Sequence, residues 1–467
     1  MARRRRKANV CKAHQGPEAV SAPALLEEVS PLIRMEREVG EEFREAMRDR
    51  LAQKVVTFDA GCSGSSPRCA KCGKATSSRG RRSSSVLTRF GSVLLRPTVY
   101  RCRPCKLQVH PLLDRLGVEE GRVSGSLARL LALLGIAVPY ELAARLCLLF
   151  FGIEVNAMTV WRAVQRLGEA CEQYTEAQSQ YFGNARAEAE GNADAPAVVV
   201  LGVDGSALGM QVRTHRRRRK QGEVLPPLSP IEEGHFREVK TAALLLPKER
   251  VELSPGRRSV LQRILVTCLG NADRIFERVW AKLSDLKWLG PDTVVVIVGD
   301  GAEWIWNRAK LFTKRCEILD FWHAVEKAWE FARVRYGDNA AQADKFAHQI
   351  AIDLRAGKVT EVIKRLAALR PKEVGPKESL ASLIKYYTDN QSRMRYDEYL
   401  RLGYGIGSGA VESAHKQLVH ARLRQAGMRW SEAGARRLLA LRVLLLNGNW
   451  ELLDRLVMKP IPVAKAA

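Results

Sequence analysis

Two uninterrupted apolar runs dominate the hydrophobic pattern of the chain, VVVLGV (198–203) and TVVVIV (293–298). Runs of this length, rich in β-branched residues and without polar alternation, predict strands buried on both faces of a sheet. REVKTAALLLP (237–247), RILVTCL (263–269) and the shorter CEILD (316–320) predict further strands, and NADRIFERVWAKLSDL (271–286) has the apolar spacing of a helix. Upstream, residues 123–135 carry apolar positions at helical spacing. Pro139 suits the first turn of a second helix running to about residue 150, and Asn156 or Thr159 begins a third running to Leu167. The apolar stretch 127–153 is interrupted by Arg129, Pro139, Glu141 and Arg145, so it reads as two packed helices and not as a bilayer span. Residues 171–196 are polar and alanine-rich and read as a helix end and linker, whereas 324–402 is long, amphipathic and charged, a helical insertion.

Three strands, a helix, a strand, a helix and a strand is the order of a ribonuclease-H-like fold. The expected class is therefore multi-domain α/β: a ribonuclease-H-like core with a helical insertion, preceded by a zinc ribbon and a helix-turn-helix module. The corresponding segments are 1–55, a basic arm and helix; 56–116, the ribbon; 117–195, the helix-turn-helix and linker; 196–325, the first part of the core; 326–402, the insertion; and 403–467, the last part of the core with carboxy-terminal helices. The 467 residues suffice for roughly three domains. No internal repeat is visible.

The ribbon rests on cysteine spacing. Cys69 and Cys72 form CAKC and Cys102 and Cys105 form CRPC; each pair has the spacing that lets one knuckle present two thiolates to tetrahedral Zn2+. Between them Val86, Thr88 and Phe90 alternate ahead of Gly91, a hairpin joining two knuckles. The gap, 73–101, is longer than usual for four-cysteine sites, and Cys62 and His110 are possible substitute ligands. Cys11, Cys147, Cys171, Cys268 and Cys316 read as structural or incidental.

Three acidic residues carry the chemistry. Asp204 and Asp300 end the two apolar runs, and Glu412 opens a helical stretch after the glycine-rich GYGIGSG (403–409). Singly, an Asp-Gly after a strand is a turn signal. Together, two strand-end aspartates and a helical glutamate supply the oxygen ligands by which phosphodiester-cleaving enzymes hold Mg2+ or Mn2+. Ser206, Ser408 and Ser413 lie nearby, but no His/Asp arrangement marks a serine nucleophile.

Charge points to the substrate. Lys and Arg number 76 against 51 Asp and Glu, a net +25, which suits a polyanionic partner. Basic runs occur at 2–7 and at 213–220, the latter holding Arg216, Arg217 and Arg218 close behind Asp204. A helix-turn-helix would place its third helix, 156–170, in the major groove with Arg162, Gln165 and Arg166 toward DNA and Trp161 in the core; the alternative is a helical bundle linking two domains. Lys416, Arg422, Arg424 and Arg429 suit phosphate neutralisation or, equally, a solvated helix face, and Trp430 suits either core or base stacking. No apolar segment follows the basic amino terminus, so no signal peptide is expected.

GDGAEWIWN (299–307), EILDFWHAVEKAW (317–329), the stretch 393–418 and RLRQAGMRWSEAGARRLLALR (422–442) together resemble DDE-type transposases of bacterial insertion sequences. The likeness is to the Kra-type family and, more distantly, to Mutator-like enzymes. It implies that Asp204, Asp300 and Glu412 are the metal-binding catalytic triad, and that Asp320 and His323 in DFWH resemble the D-x-x-H signature beside it. It further implies hydrolysis at the element ends, then attack of the freed 3′-hydroxyl on target DNA. The implied partners are double-stranded DNA, as terminal inverted repeats and target, and other copies of the chain in a homo-oligomer on DNA. The implied setting is the bacterial cytoplasm. Two rivals are a DNA-binding regulator with an inactive nuclease-like domain and a stand-alone nuclease or resolvase.

Overall fold

A computed structural model of the chain describes residues 30–60, 66–118, 122–184, 192–211, 235–254 and 257–457. Two compact units divide after Leu112. In the first, helix α1 (Pro31–Ala60) precedes strands β1 (Ser77–Arg81), β2 (Ser84–Thr88), β3 (Gly91–Leu95), β4 (Thr98–Arg101) and β5 (Gln108–Val109). β1, β4 and β5 form an antiparallel sheet, and β2 and β3 the expected hairpin. Its turn is Arg89–Phe90, with Thr88 paired to Gly91, so Phe90 sits in the turn and not on the strand. Val86 and Thr88 are buried as their alternation predicts, and Arg48 of α1 donates to the Phe90 carbonyl at 3.4 Å.

The division falls within α2 (Pro111–Arg115), and the second unit continues with α3 (Gly125–Ala137), α4 (Tyr140–Phe151) and α5 (Ala157–Asn184). Ser124 caps α3 by accepting from the Leu127 N–H, and Pro139 lies just ahead of α4. Asn156 starts α5, its Oδ1 accepting from the Thr159 N–H at 2.9 Å. The segment expected as linker is helix as far as Asn184. Val160, Ala163, Val164, Leu167 and Cys171 form the buried stripe of α5. A Cβ on Gly168 would meet the Arg437 backbone at 2.6 Å, so this glycine permits close approach of the helix that holds Arg437.

The five strands predicted from 198 onward are β6 (Val198–Gly209), β7 (Phe236–Leu245), β10 (Ile264–Leu269), β11 (Val294–Gly299) and β12 (Arg315–Leu319). A short hairpin, β8 (Arg250–Ser254) and β9 (Arg257–Val260), is absent from the sequence expectation. The five make one mixed sheet in the order β10-β7-β6-β11-β12, with β6, β11 and β12 parallel and β7 and β10 antiparallel. Side chains alternate along β7 onto two cores. Ala242 and Leu244 join the face covered by α6 (Ala272–Asp285), α7 (Glu303–Ala309) and α8 (Phe321–Tyr336), whereas Val239 and Ala243 face α13 (Gly409–His415) and α15 (Glu432–Leu446).

Between these, α9 (Ala340–Arg355), α10 (Val359–Ala367), α11 (Val374–Asn390) and α12 (Tyr396–Arg401) make the helical insertion. It shares the core of the sheet: Tyr387, Tyr396 and Tyr399 are buried there, and Tyr387 donates to the Ala324 carbonyl at 2.8 Å. α13 runs through a π-turn (Lys416–His420) into α14 (Ala421–Leu423), and α16 (Trp450–Val457) follows α15. Among the described residues no helix is long and apolar enough to cross a membrane.

Candidate functional site

Strand register decides where the acidic residues fall. β11 pairs with β6 at Val298 and Gly202 and with β12 at Gly299 and Leu319. Counting on from those pairs, Asp204, Asp300 and Asp320 stand level where β11 and β12 end, while β6 continues alongside β7. This is the edge of a parallel sheet at which ligands gather. Glu412 reaches the same place from α13. A Cβ on Gly202 would come within 3.3 Å of Val411, so the missing side chain lets α13 lie close to β6.

The carboxylates are held by local hydrogen bonds. Asp204 Oδ1 accepts from the Gly205 N–H at 2.7 Å and Asp300 Oδ1 from the Ala302 N–H at 3.0 Å. Glu412 Oε1 accepts from the Ser408 hydroxyl at 2.9 Å. Asp320 is fully buried; its Oδ1 accepts from the His323 N–H at 2.8 Å and its Oδ2 from the Ser408 N–H. Asp320 thereby caps α8 and ties the loop ahead of α13 to it, a tie strengthened by the Phe321 N–H donating to the Ile406 carbonyl at 2.9 Å. Tyr386 of α11 donates to the Asp300 carbonyl at 2.8 Å. Asp204, His323 and Glu412 line an open cleft of about 690 Å³ with Trp322, Trp329, Arg333 and Asp344.

Electrostatics bind the group together. Burial pushes the Asp204 carboxyl up to about 6, with Asp300 and Glu412 pushing further and the Gly205 N–H and His323 opposing. His323, whose Nδ1 lies 3.3 Å from Asp320 Oδ1, is raised to about 9 by that close carboxylate contact, against burial, with Asp300 and Asp204 adding to the rise. Burial also pushes Asp320 up, but its hydrogen bonds from His323 and Ser408 prevail and hold it below the usual carboxylate range. Asp320, His323 and Glu412 present ligand atoms within 4.8 Å of one another and could hold a metal ion. The compact trio thus shares only Glu412 with the triad expected from sequence, and Asp204 lines the same cleft as His323 and Glu412. Sequence reasoning missed His415, which is buried with Nε2 3.5 Å from Asp204 Oδ2. Its place three residues after Glu412, on the same helical face, was the available signal.

In the first unit Cys69, Cys72, Cys102 and Cys105 converge with their sulfurs within 4.8 Å of one another, a group able to bind zinc. Cys72 Sγ lies 3.5 Å from Cys102 Sγ. Each pair sits in a tight turn, with the Gly73 N–H donating to the Cys69 carbonyl and the Cys102 N–H to Leu107, at 2.8 and 2.9 Å. Backbone N–H groups of Cys72 and Lys71 bring the Cys69 thiol down to about 7, whereas the neighbouring Cys72 sulfur and burial push Cys105 up to about 12. His110 does not belong to this cluster, and Cys62 lies outside the described residues.

The basic residues divide. Arg162, Lys416, Arg424 and Arg429 are exposed, while Arg216, Arg217, Arg218 and the amino-terminal run lie outside the described residues. Arg166 is half-buried, and burial brings its guanidinium down to about 10. Arg422 corrects the expectation of a phosphate contact. It is 1 % exposed, donates to the Gly135 carbonyl at 3.0 Å and lies over the rings of Tyr140 and Trp430. Gln165 is likewise buried, accepting from Arg437, because α5 turns this face inward. Trp161 is 42 % exposed and not core, whereas Trp430 is core, its Nε1 donating to the Leu423 carbonyl at 2.9 Å.

No protein-family profile matches the chain, and no curated protein matches it.

Proposed function

We propose that this chain is a DNA transposase of the DDE type with a ribonuclease-H-like core, cleaving insertion-sequence ends and joining the freed 3′-hydroxyl to target DNA. The observation that carries the reading is the level placement of Asp204 and Asp300 on adjacent parallel strands, with α13 brought against β6 at Gly202 so that Glu412 faces the same cleft. A sheet numbered 3-2-1-4-5 in strand order supports the ribonuclease-H-like description. The net +25 supports a nucleic-acid substrate.

The donor set suits a hard divalent cation. Carboxylate oxygens crowd together, and Asp204 is pushed up partly by Asp300 and Glu412, so negative charge at the cleft lacks full compensation. Magnesium or manganese bound there would supply Lewis-acid activation of the attacking hydroxyl and charge stabilisation for the leaving oxygen. Asp204, Asp300 and Glu412 are its ligands in this reading. Asp320 orders the Ser408 loop that fixes Glu412, and it holds His323 charged at the cleft wall, where the imidazolium can donate to a phosphate oxygen. The four-cysteine ribbon and the exposed start of α5, including Arg162, contribute to recognition of the inverted repeats, and copies of the chain assemble on paired ends.

The test incubates wild type and Asp300→Ala with labelled DNA from the ends of the element that encodes the chain, a target plasmid and magnesium. Cleaved and joined products from wild type, with binding alone from the variant, are expected. Equal binding and no cutting by either protein, with magnesium or manganese, would replace the transposase by a DNA-binding regulator. Cutting without joining would replace it by a nuclease.

A further inference from the structure

The π-turn that follows Glu412 carries information that the acidic triad does not use. α13 continues through Lys416–His420, where the Ala421 N–H donates to the Lys416 carbonyl five residues back. Single π-turns inside α-helices are frequent at functional sites. Here the turn aligns two histidines with one strand. His415 Nε2 lies 3.5 Å from Asp204 Oδ2, and His420 Nε2 lies 3.3 Å from Ser206 Oγ. At roughly 100° per residue, five residues of regular α-helix would swing the second side chain about 140° off the face of the first. The wider turn reduces that offset, and residues five apart on the helix meet residues two apart on β6.

Arg424 completes the second contact. Its Nη1 lies 3.2 Å from Ser206 Oγ and 3.0 Å from His420 Nε2. His420 and Arg424 are exposed and Ser206 is half-buried, so the three polar groups open to solvent. Among the described residues Arg424 makes no ion pair, unlike Arg436 and Arg437 further along the chain. Burial, and then the neighbouring Arg424, His415 and Lys416, hold His420 below its ordinary value, so its neutral ring accepts from Arg424 and the guanidinium charge stays uncompensated. Ser206 stands two residues from Asp204 on the same strand, a separation of about 6.6 Å. That is of the order of the step between neighbouring phosphates of a nucleic-acid strand.

We propose that Ser206, His420 and Arg424 form a subsite for a phosphodiester oxyanion, seating the backbone phosphate next to the one that reacts at Asp204. The inference rests on the nucleic-acid reading of the site. It goes beyond that reading by assigning a second phosphate position and by giving the π-turn a purpose, which is to set His420 and the following Arg424 in register with β6. Arg424 supplies the charge and a two-pronged donor set, Ser206 its hydroxyl, and His420 orients the guanidinium by accepting one of its N–H groups.

The test uses the full chain with labelled histidine side chains and follows the His420 ring resonance, assigned by comparison with His420→Gln, as inorganic phosphate is added. In parallel, fluorescence anisotropy measures binding of a labelled duplex across a salt series. We expect a saturable phosphate shift in wild type that is lost in Arg424→Gln. Affinity of that variant for the duplex should fall by about tenfold, as for loss of one hydrogen bond to a charged group. Its log–log salt slope should be shallower by about 0.9, the value of one phosphate contact. Ser206→Ala should show a smaller loss, and thermal unfolding of each variant reports whether the fold persists. A phosphate response and duplex affinity unchanged in Arg424→Gln would overturn the subsite. A phosphate response in wild type, lost in Arg424→Gln, from a chain that binds no duplex would keep the anion subsite and remove the nucleic-acid reading.

Discussion

Asp204→Asn should make the protein more stable while abolishing its chemistry. The Asp204 carboxyl has its ordinary value of 3.8 raised to about 6, first by burial and then by Asp300 and Glu412. A carboxylate raised on folding favours the folded state below the unfolded value and withdraws that support as pH rises through the folded value. At pH 7.5 the folded protein therefore bears the cost of an ionised Asp204. Two units correspond to about 3 kcal/mol, and solvent screening of a side chain that is 21 % exposed brings the working figure to about 2 kcal/mol. Asparagine keeps an Oδ1 to accept from the Gly205 N–H, so little is lost in exchange. At about 2 °C per kcal/mol for a large domain, Tm in the presence of chelator should rise by about 4 °C at pH 7.5. The gain should shrink by about half at pH 5, where the folded carboxyl is mostly protonated. Magnesium should then raise the Tm of wild type and leave the variant unmoved. Thermal unfolding by circular dichroism at the two pH values decides the matter. A variant less stable than wild type at pH 7.5, or a gain that does not fall with acid, would refute the account of crowded negative charge.

Cys102→Ser removes a fully buried sulfur from the four-cysteine cluster, so elemental analysis should find one zinc per chain in wild type and none in the variant. Lowering the pH should release zinc from wild type as the thiolates protonate. Gly202→Val pushes against Val411, which a Cβ already approaches to 3.3 Å; cleavage should fall steeply while stability drops by about 1–3 kcal/mol, read by single-turnover kinetics and denaturant melts. Arg422→Ala strands the Gly135 carbonyl and empties the space between Tyr140 and Trp430, costing about 3 kcal/mol in denaturant melts. Its salt slope for DNA binding should match wild type, because the guanidinium is buried.

The strands around Asp204 and Asp300 were legible because continuous valine runs can be satisfied only by burial on both faces, and the paired cysteines because two-residue spacing is a local property. β8 and β9 were not legible, since RVELS and RRSV mix charged and apolar positions without a clear period. The inward turn of Gln165 and Arg422 was also hidden, because helical pattern marks a polar face without saying what packs on it. Arg422 is buried because Tyr140, Trp430 and the Gly135 carbonyl, far apart in sequence, converge on it.

Taken by itself, the sequence determined the elements of the sheet, the two knuckles and the acidic residues at strand ends, since each follows from spacing within one short segment. Tertiary structure alone decided which of those residues meet. Strand order and register set Asp204, Asp300 and Asp320 level; a missing Cβ at Gly202 admitted Glu412, and a π-turn brought His415 and His420 onto β6. Such placements depend on hydrogen-bond register and steric fit between segments as much as 214 residues apart, and a local pattern carries no record of them.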